Sequence, residues 1–291
     1  GQVVGVIGES GCGKSTLARV IAGLLPQVSG EIYHHGENLR DTAKRRTRDV
    51  LKNIQIVFQM PDVAVNPRHR VREILGRPLH LFMGLDAGAR ESRIDELLEL
   101  VELPASYKTR FPGELSGGEK QRINLARALA AEPELILCDE VTSALDTVVG
   151  KAIIDLLKKL QTNLGVAYLF ISHDLSTVAS FADQVVVLYA GRVVEQGSLA
   201  SVLAPPFHPY TRLLLGSVPE LRTDWLDGVV ASKTHLDHLG QSVDGNAVGC
   251  PFFNRCTSAV EDVCNRHDPP LREASQGHTV ACHLELDSLR P

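Results

Sequence analysis

The chain has 291 residues, 44% of them hydrophobic and 22% charged, with a formal net charge of −5. That length suits one large α/β body with an appendage, and the acidic balance argues against nucleic acid as the main partner, since no basic excess neutralises phosphates. No apolar run approaches the roughly 18–20 residues needed to cross a bilayer, so a role at a membrane has to come through a partner that spans it.

The first predicted element is a strand, Val3-Val4-Gly5-Val6-Ile7. It runs into Gly8-Glu9-Ser10-Gly11-Cys12-Gly13-Lys14-Ser15-Thr16 and then into a helical stretch, Leu17 to Ala22. The first eight of these residues, Gly8 to Ser15, fit G-x-x-x-x-G-K-[ST] in the strand–loop–helix setting the motif requires. Gly8, Gly11 and Gly13, with Ser10 between them, let backbone N–H groups turn inward around phosphate oxygens, and the helix presents its positive end to the same anion. Lys14 is placed to reach the β- and γ-phosphates and Ser15 to bind Mg²⁺, with Thr16 the next residue along the loop. A nucleoside triphosphate with Mg²⁺ is the ligand this implies. The sequence has no initiator Met and opens almost at this strand, so further strands are expected upstream.

Next comes the apolar run Ile54-Gln55-Ile56-Val57-Phe58, followed by Gln59, and later an amphipathic set at Ile94, Leu97, Leu98 and Val101. Ser116 and Glu119 form an S-x-x-E capping box that opens a helix from Glu119 to about Ala131, with Ile123, Ala126 and Ala130 on one face. Gly117 and Gly118 lie inside the box, where they cost helix stability and leave the backbone open to close approach. This makes a second helix end suited to an anion. Leu135-Ile136-Leu137-Cys138 reads as a short buried strand ending in Asp139-Glu140. In phosphate-loop proteins such a strand delivers an Asp to the Mg²⁺ site, the place of Asp139, and Glu140 could orient or deprotonate an attacking water.

Leu115 to Gln121 resembles the signature of ATP-binding cassette proteins, and other cassette motifs follow in the family's order. Gln59 resembles the glutamine of the Q-loop, Ser143-Ala144-Leu145-Asp146 the D-loop, and His173, after a strand from Val166 to Ile171, the switch histidine. The resemblance spans Gly1 to about Gly197. It implies an α/β fold: a P-loop NTPase core with an inserted α-helical subdomain at about 60–130, all within residues 1–200. It also implies a mechanism in which two cassettes meet head to tail. ATP on Lys14, Ser15, Gln59 and Asp139 of one is capped by Ser116-Gly117-Gly118 of the other. Asp146 lies at that junction, Glu140 acts as general base and His173 steadies the γ-phosphate. Residues from roughly Met60 to Arg110 would touch a permease, with Gln59 linking them to the metal site. Two departures stand out. Val141 occupies a position where the family usually has Pro, so a softer loop is expected. The family's adenine-stacking aromatic lies upstream of the phosphate loop, and none precedes Gly1, so weaker nucleotide affinity is expected.

After Gly197, Pro205-Pro206-Phe207-His208-Pro209-Tyr210-Thr211-Arg212-Leu213-Leu214 and then Ser217-Val218-Pro219 resemble the extension of oligopeptide, dipeptide and nickel importer cassettes. This makes 201–291 a small Cys-rich C-terminal extension. A polar stretch from about Arg222 to Gly249 reads as a linker. Then come Cys250, Cys256, Cys264 and Cys282, whereas Cys12 and Cys138 lie in the nucleotide motifs as small buried fillers. A short Cys-dense segment with few large apolar groups can hardly fold on its own core, so a metal is a plausible fastener. Four thiolates suit either Zn²⁺ or an iron–sulfur cluster. No C-x₂-C pair is present, but Cys264-Asn265-Arg266-His267 keeps zinc open, and thiols that only pack are a third reading. The dipeptide-importer resemblance, through Gly249-Cys250-Pro251-Phe252 and Val280-Ala281-Cys282-His283, implies a [4Fe-4S] cluster with a structural role.

The expected function is an ATPase that energises a binding-protein-dependent importer, most readily of di- or oligopeptides, from the cytoplasmic face of the cell membrane as a peripheral protein. Its implied partners are a second cassette (homo- or heterodimeric, or fused in the same chain), two transmembrane permease subunits and a periplasmic or extracellular substrate-binding protein. The alternatives are a soluble cassette ATPase acting on the ribosome or DNA, an exporter half, and an importer cassette for nickel or glycosides. Gln59 and Ser116 lie too close for the long coiled coil of DNA-repair cassettes, and the His208-to-Pro219 tail favours import.

Overall fold

A computed structural model of the protein describes residues 1–216 and 248–290. The Ser217-Val218-Pro219 motif and nearly all of the linker expected from Arg222 lie outside the described residues. The chain divides into two compact units, one of Gly1–Val3 with Ser15–Ile171, the other of Val4–Lys14 with the described part of Ser172–Pro291. Strand β1 (Val3–Ile7) and helix α1 (Lys14–Ile21) carry the chain between them.

The first unit continues with the hairpin β2 (Tyr33–His34) and β3 (Glu37–Asn38), helix α2 (Arg48–Asn53) and strand β4 (Ile54–Val57). Four helices follow: α3 (Pro61–Ala64), α4 (Val71–Pro78), α5 (Ala87–Leu100) and α6 (Gly117–Leu129). The unit closes with β5 (Leu135–Asp139), α7 (Thr147–Leu164) and β6 (Ala167–Ile171). β5 lies between β4 and β6 in parallel register, with Ile54 opposite Leu135 and Asp139 opposite Ile171. Parallel strands covered on both faces read as unbroken apolar runs, and Ile136, Leu137 and Cys138 are fully buried.

Helix α7 starts at Asp146, whose Oδ1 accepts from the N–H groups of Val148 (3.1 Å) and Val149 (3.0 Å). It buries Ile153, Ile154, Leu156, Leu157 and Leu160 on one face and stops at Gly165 with φ 68°, the left-handed end that glycine allows without strain. Helix α4 packs on α5 and α6, and the expected stripe Ile94, Leu97, Leu98 and Val101 is buried there. The His34 and His35 Nε2 atoms both approach Glu134 Oε2, at 3.2 and 2.5 Å, and close the hairpin against the start of β5. His35 and Glu134 are open to solvent, so the trio reads as a surface ion pair.

In the second unit β1, from Val4 on, pairs in parallel with β7 (Gln184–Tyr189). β7 pairs antiparallel with β8 (Arg192–Ser198). Beyond β8 come β10 (His278–Ala281) and β9 (Leu271–Ser275), both antiparallel to their neighbours. The helices are α8 (Leu175–Ala179), α9 (Leu199–Val202) and α10 (Pro209–Gly216). The last strands thus extend the sheet begun by β1 and β7. Among the described residues no helix is long and apolar enough to cross a membrane.

Candidate functional site

The phosphate-type loop is built by glycines whose backbone no other residue adopts easily. Gly8 has φ 154°, Gly11 83° and Gly13 102°. A Cβ at Gly8 would sit 2.2 Å from the Leu188 carbonyl oxygen and 2.7 Å from Cys12 Sγ, so only glycine fits there. Lys14 is 4% exposed. Its Nζ donates to the carbonyls of Gly8 (2.7 Å) and Glu9 (2.9 Å), with Cys12 Sγ at 3.8 Å. All three acceptors are uncharged, and a buried cation held only by neutral groups retains most of its desolvation cost. An anion arriving at this loop would offset that cost. The residues present therefore fit a triphosphate.

Within the first unit, Ser15 Oγ donates to Asp139 Oδ1 at 2.6 Å. Asp139 ends β5 and is 3% exposed, so a hydroxyl and a carboxylate oxygen stand together, the hard oxygen donors that suit Mg²⁺. Gln59 Nε2 donates to Glu140 Oε2 at 3.1 Å and to Ser143 Oγ at 3.0 Å, and Ser143 Oγ donates to the Glu140 carbonyl at 2.9 Å. Glu140 has φ 50°, a left-handed conformation that a side chain of this size adopts only when its surroundings impose it, often at functional sites. The Glu140 N–H donates to the Ile171 carbonyl at 3.1 Å, fixing that turn to the end of β6. Ser15–Asp139 and Gln59–Glu140–Ser143 therefore form two hydrogen-bonded sets, joined through the adjacent residues Asp139 and Glu140 and drawn from three distant stretches of sequence. Val141 is 3% exposed and lines a cavity of about 10 Å³ with Cys138 and Leu157, so the side chain standing in place of Pro is packed.

Ser116 caps α6 as the sequence predicts. Its Oγ accepts from the Glu119 N–H at 3.3 Å, and Glu119 Oε2 accepts from the Ser116 N–H at 2.7 Å. The helix begins at Gly117, two residues earlier than expected, because the box encloses the glycines as its first turn. A Cβ at Gly118 would meet Val149 Cγ1 at 2.5 Å. The Tyr107 hydroxyl, donating to Glu119 Oε1 at 2.6 Å, and the Ser116 N–H hold the Glu119 carboxyl below the usual range. Asp146, assigned to the D-loop, uses its carboxylate to cap α7.

His173 is exposed in the second unit, on a turn between the Ser172 N–H, which donates to the Val6 carbonyl at 3.2 Å, and Asp174, which caps α8. In the same unit His208 is buried beside α10. Its N–H donates to Glu195 Oε2 at 2.8 Å and its Nδ1 accepts from the Tyr210 N–H at 3.1 Å. Glu195 Oε1 meets His278 Nε2 at 2.9 Å. Burial pushes the His208 pKa down to about 4, so the ring stays neutral and serves as a helix cap.

The four tail cysteines are free thiols. Burial pushes the Cys250 thiol up to about 11, raises those of Cys256 and Cys282, and nearby thiolates in the set add to all three. Yet among the described residues only His34, His35 and Glu134 bring three metal-ligating atoms within 4.8 Å of one another. Tetrahedral zinc with Zn–S bonds of about 2.3 Å places its sulfurs about 3.8 Å apart, so the four thiols are spread too widely for a single zinc ion.

Sequence reasoning missed the contacts of Glu9. Arg255 forms a two-pronged ion pair with it, Nη1 to Oε2 and Nη2 to Oε1, both at 2.8 Å, and the Tyr210 hydroxyl accepts from its backbone N–H at 2.8 Å. With partners 246 and 201 residues away, no local spacing could have signalled them.

The profile described as ABC transporter matches residues 1–143, and that described as oligopeptide/dipeptide transporter, C-terminal region, matches residues 194–264. The oligopeptide transport ATP-binding protein AppF of Bacillus subtilis is 39% identical over 285 residues, covering 98% of this chain and 86% of that protein. The dipeptide transport ATP-binding protein DppF of Haemophilus influenzae is 38% identical over 286 residues, with the same coverage. Among solved structures, the ATP-binding cassette MJ0796, a dimer in a post-hydrolysis state bound to ADP and Pi, is 32% identical with a TM-score of 0.59, over 68% of this chain and 85% of its own. With such identity over nearly its whole length, the protein belongs to the ABC transporter family, in its oligopeptide/dipeptide branch.

Proposed function

We propose that the protein is the ATP-hydrolysing subunit of a binding-protein-dependent importer of di- or oligopeptides. The observation that carries this is the two hydrogen-bonded pairs Ser15–Asp139 and Gln59–Glu140 on adjacent residues at the end of β5, the parts an Mg²⁺-dependent phosphoryl transfer to water needs. In this reading residues 1–200 are the nucleotide-binding region, with a helical subdomain at about 60–130, and 201–291 are the extension. Gly8, Ser10, Gly11, Gly13, Lys14 and Thr16 hold the phosphates, while Ser15, Gln59 and Asp139 hold Mg²⁺. Glu140 takes the proton from water and His173 steadies the γ-phosphate. Ser116, Gly117, Gly118 and Asp146 face the nucleotide of a second cassette. Mg·ATP, when bound, supplies the phosphoryl group and most of its charge neutralisation; the protein orients water and excludes competing acceptors.

The permease side of the assembly is supported by a cavity of about 450 Å³ in the first unit, lined among others by Phe58, His69, Ile74, Pro78 and Phe82. Its wall includes Phe58, the residue before Gln59, which suits a permease element felt by the metal site. Two permease subunits and an extracytoplasmic binding protein complete the machine, with this subunit peripheral on the cytoplasmic face. For the tail we favour a structural [4Fe-4S] cluster on Cys250, Cys256, Cys264 and Cys282 over zinc, supported by the family resemblance and by there being, among the described residues, no three of these thiols within 4.8 Å of one another. Iron, sulfide and zinc content of protein prepared without oxygen tests that choice; one zinc per chain without iron would overturn it.

Glu140→Gln tests the reaction. ATP binding should survive while turnover falls at least about a hundredfold, on the scale of losing a general base. Near-normal hydrolysis would remove Glu140 from that role.

A further inference from the structure

A carboxylate inside an anion-binding loop is a liability, and Glu9 is such a residue. It follows Gly8 directly, and its own carbonyl accepts from the Lys14 ammonium at 2.9 Å. An uncompensated charge there would repel the phosphates that the loop amides and Lys14 attract. The structure compensates it with a side chain from the cysteine segment. Arg255 sets both guanidinium Nη atoms on the two Glu9 oxygens, the paired geometry that makes arginine–carboxylate contacts strong and directional. The Arg255 side chain is 16% exposed and lies near the rings of Tyr189 and Phe252, at 5.7 and 5.6 Å. Tyr210, fully buried against both rings, accepts from the Glu9 N–H. The Glu9 residue is thus held at its N–H, its carbonyl and its carboxylate.

On the reading of residues 8–16 as the phosphate loop, the geometry points to Arg255 and Tyr210 as positioning residues for nucleotide binding: Arg255 cancels the Glu9 charge and turns it aside, and Tyr210 fixes the Glu9 peptide. Because Arg255 directly precedes Cys256 and Phe252 lies two residues after Cys250, the local fold of the thiol segment sets where this clamp stands. The extension thereby completes the nucleotide site of its own chain.

A charge-cancelling role and a packing role make different demands. Binding of a fluorescent ATP analogue to the full chain is measured for Arg255→Met, Glu9→Gln and the double variant, with unfolding midpoints alongside. Arg255→Met should raise Kd about tenfold, and adding Glu9→Gln should restore most of the affinity, because the repelling charge is then gone. Unchanged affinity in Arg255→Met, or a loss that Glu9→Gln leaves uncorrected, overturns the inference. If Arg255→Met does not fold, Arg255→Lys keeps the charge and loses the fork; it should bind about threefold more weakly and be rescued in the same way. Lack of effect or of rescue there overturns the inference equally. Tyr210→Phe should weaken binding about threefold, and unchanged binding would remove Tyr210 from the clamp. Lys14→Ala separates the two layers of argument. If it keeps full affinity, the phosphate-loop reading fails. If it loses affinity while Arg255→Met does not, only the clamp fails.

Discussion

Helices α1 and α6 both begin beside glycines, yet their first turns are completed differently. Before α1 stands Gly13, which has no side chain to offer the first-turn N–H groups, and the buried Lys14 adds a positive charge at the same place. Before α6 stands Ser116, which exchanges hydrogen bonds with Glu119 and closes the turn from within. The α1 start has no acceptor side chain of its own. The other holds itself, and its glycines keep the backbone bare. A glycine-rich helix start is therefore not one kind of site; what matters is whether the chain supplies its own acceptor.

The contrast is most easily broken at Lys14. Lys14→Ala should raise the nucleotide Kd at least about a hundredfold, or about 3 kcal/mol, measured by equilibrium binding; unchanged affinity would mean that α1 needs no anion. Helix α10 shows a third solution, a neutral histidine as cap, and pH reads it. The His208 pKa is lowered from its ordinary value of 6.5 to about 4. Stability from keeping the ring neutral is therefore complete above pH 6.5 and is lost as pH falls from there toward 4, by up to about 3 kcal/mol. His208→Asn keeps an acceptor that does not titrate, so the decline in unfolding temperature between pH 7 and 5 should flatten. An unchanged slope would assign the effect to other groups. The smallest effect belongs to α6. Ser116→Ala should cost about 1 kcal/mol in denaturant unfolding. Since Glu119 is held below the usual carboxylate range, the stability from its contacts is present at neutral pH and lost as pH falls through that lowered range. No cost from Ser116→Ala would mean that α6 is not closed from within.

What the sequence made legible was local. The loop at Gly8 to Thr16, the box at Ser116 and Glu119 and the strand ending in Asp139 each depend on residues within a few positions, where backbone geometry and capping impose fixed spacings. Gln59 could be placed only through family resemblance, and the structure adds what it touches, Glu140 and Ser143. Long-range partners were not legible. Nothing near Glu9 announces Arg255, and nothing near β8 announces that β10 will pair with it, because such contacts are chosen by the packing of the whole unit. The thiol set stands between these cases. Its residues were plain in the sequence, but its spread, which disfavours one zinc ion, is a property of the folded segment.

The pairing of β10 with β8 has a consequence for how short this chain can be made. β8 donates and accepts on both sides, to β7 and to β10, so it is an interior strand only while the last residues are present. A chain ending near residue 200 would turn β8 into an exposed edge, with a row of unsatisfied amides and carbonyls ready to recruit another molecule. It would also strip Glu195, fully buried, of both His278 and the His208 N–H. The C-terminal strands thus act as a built-in guard against self-association.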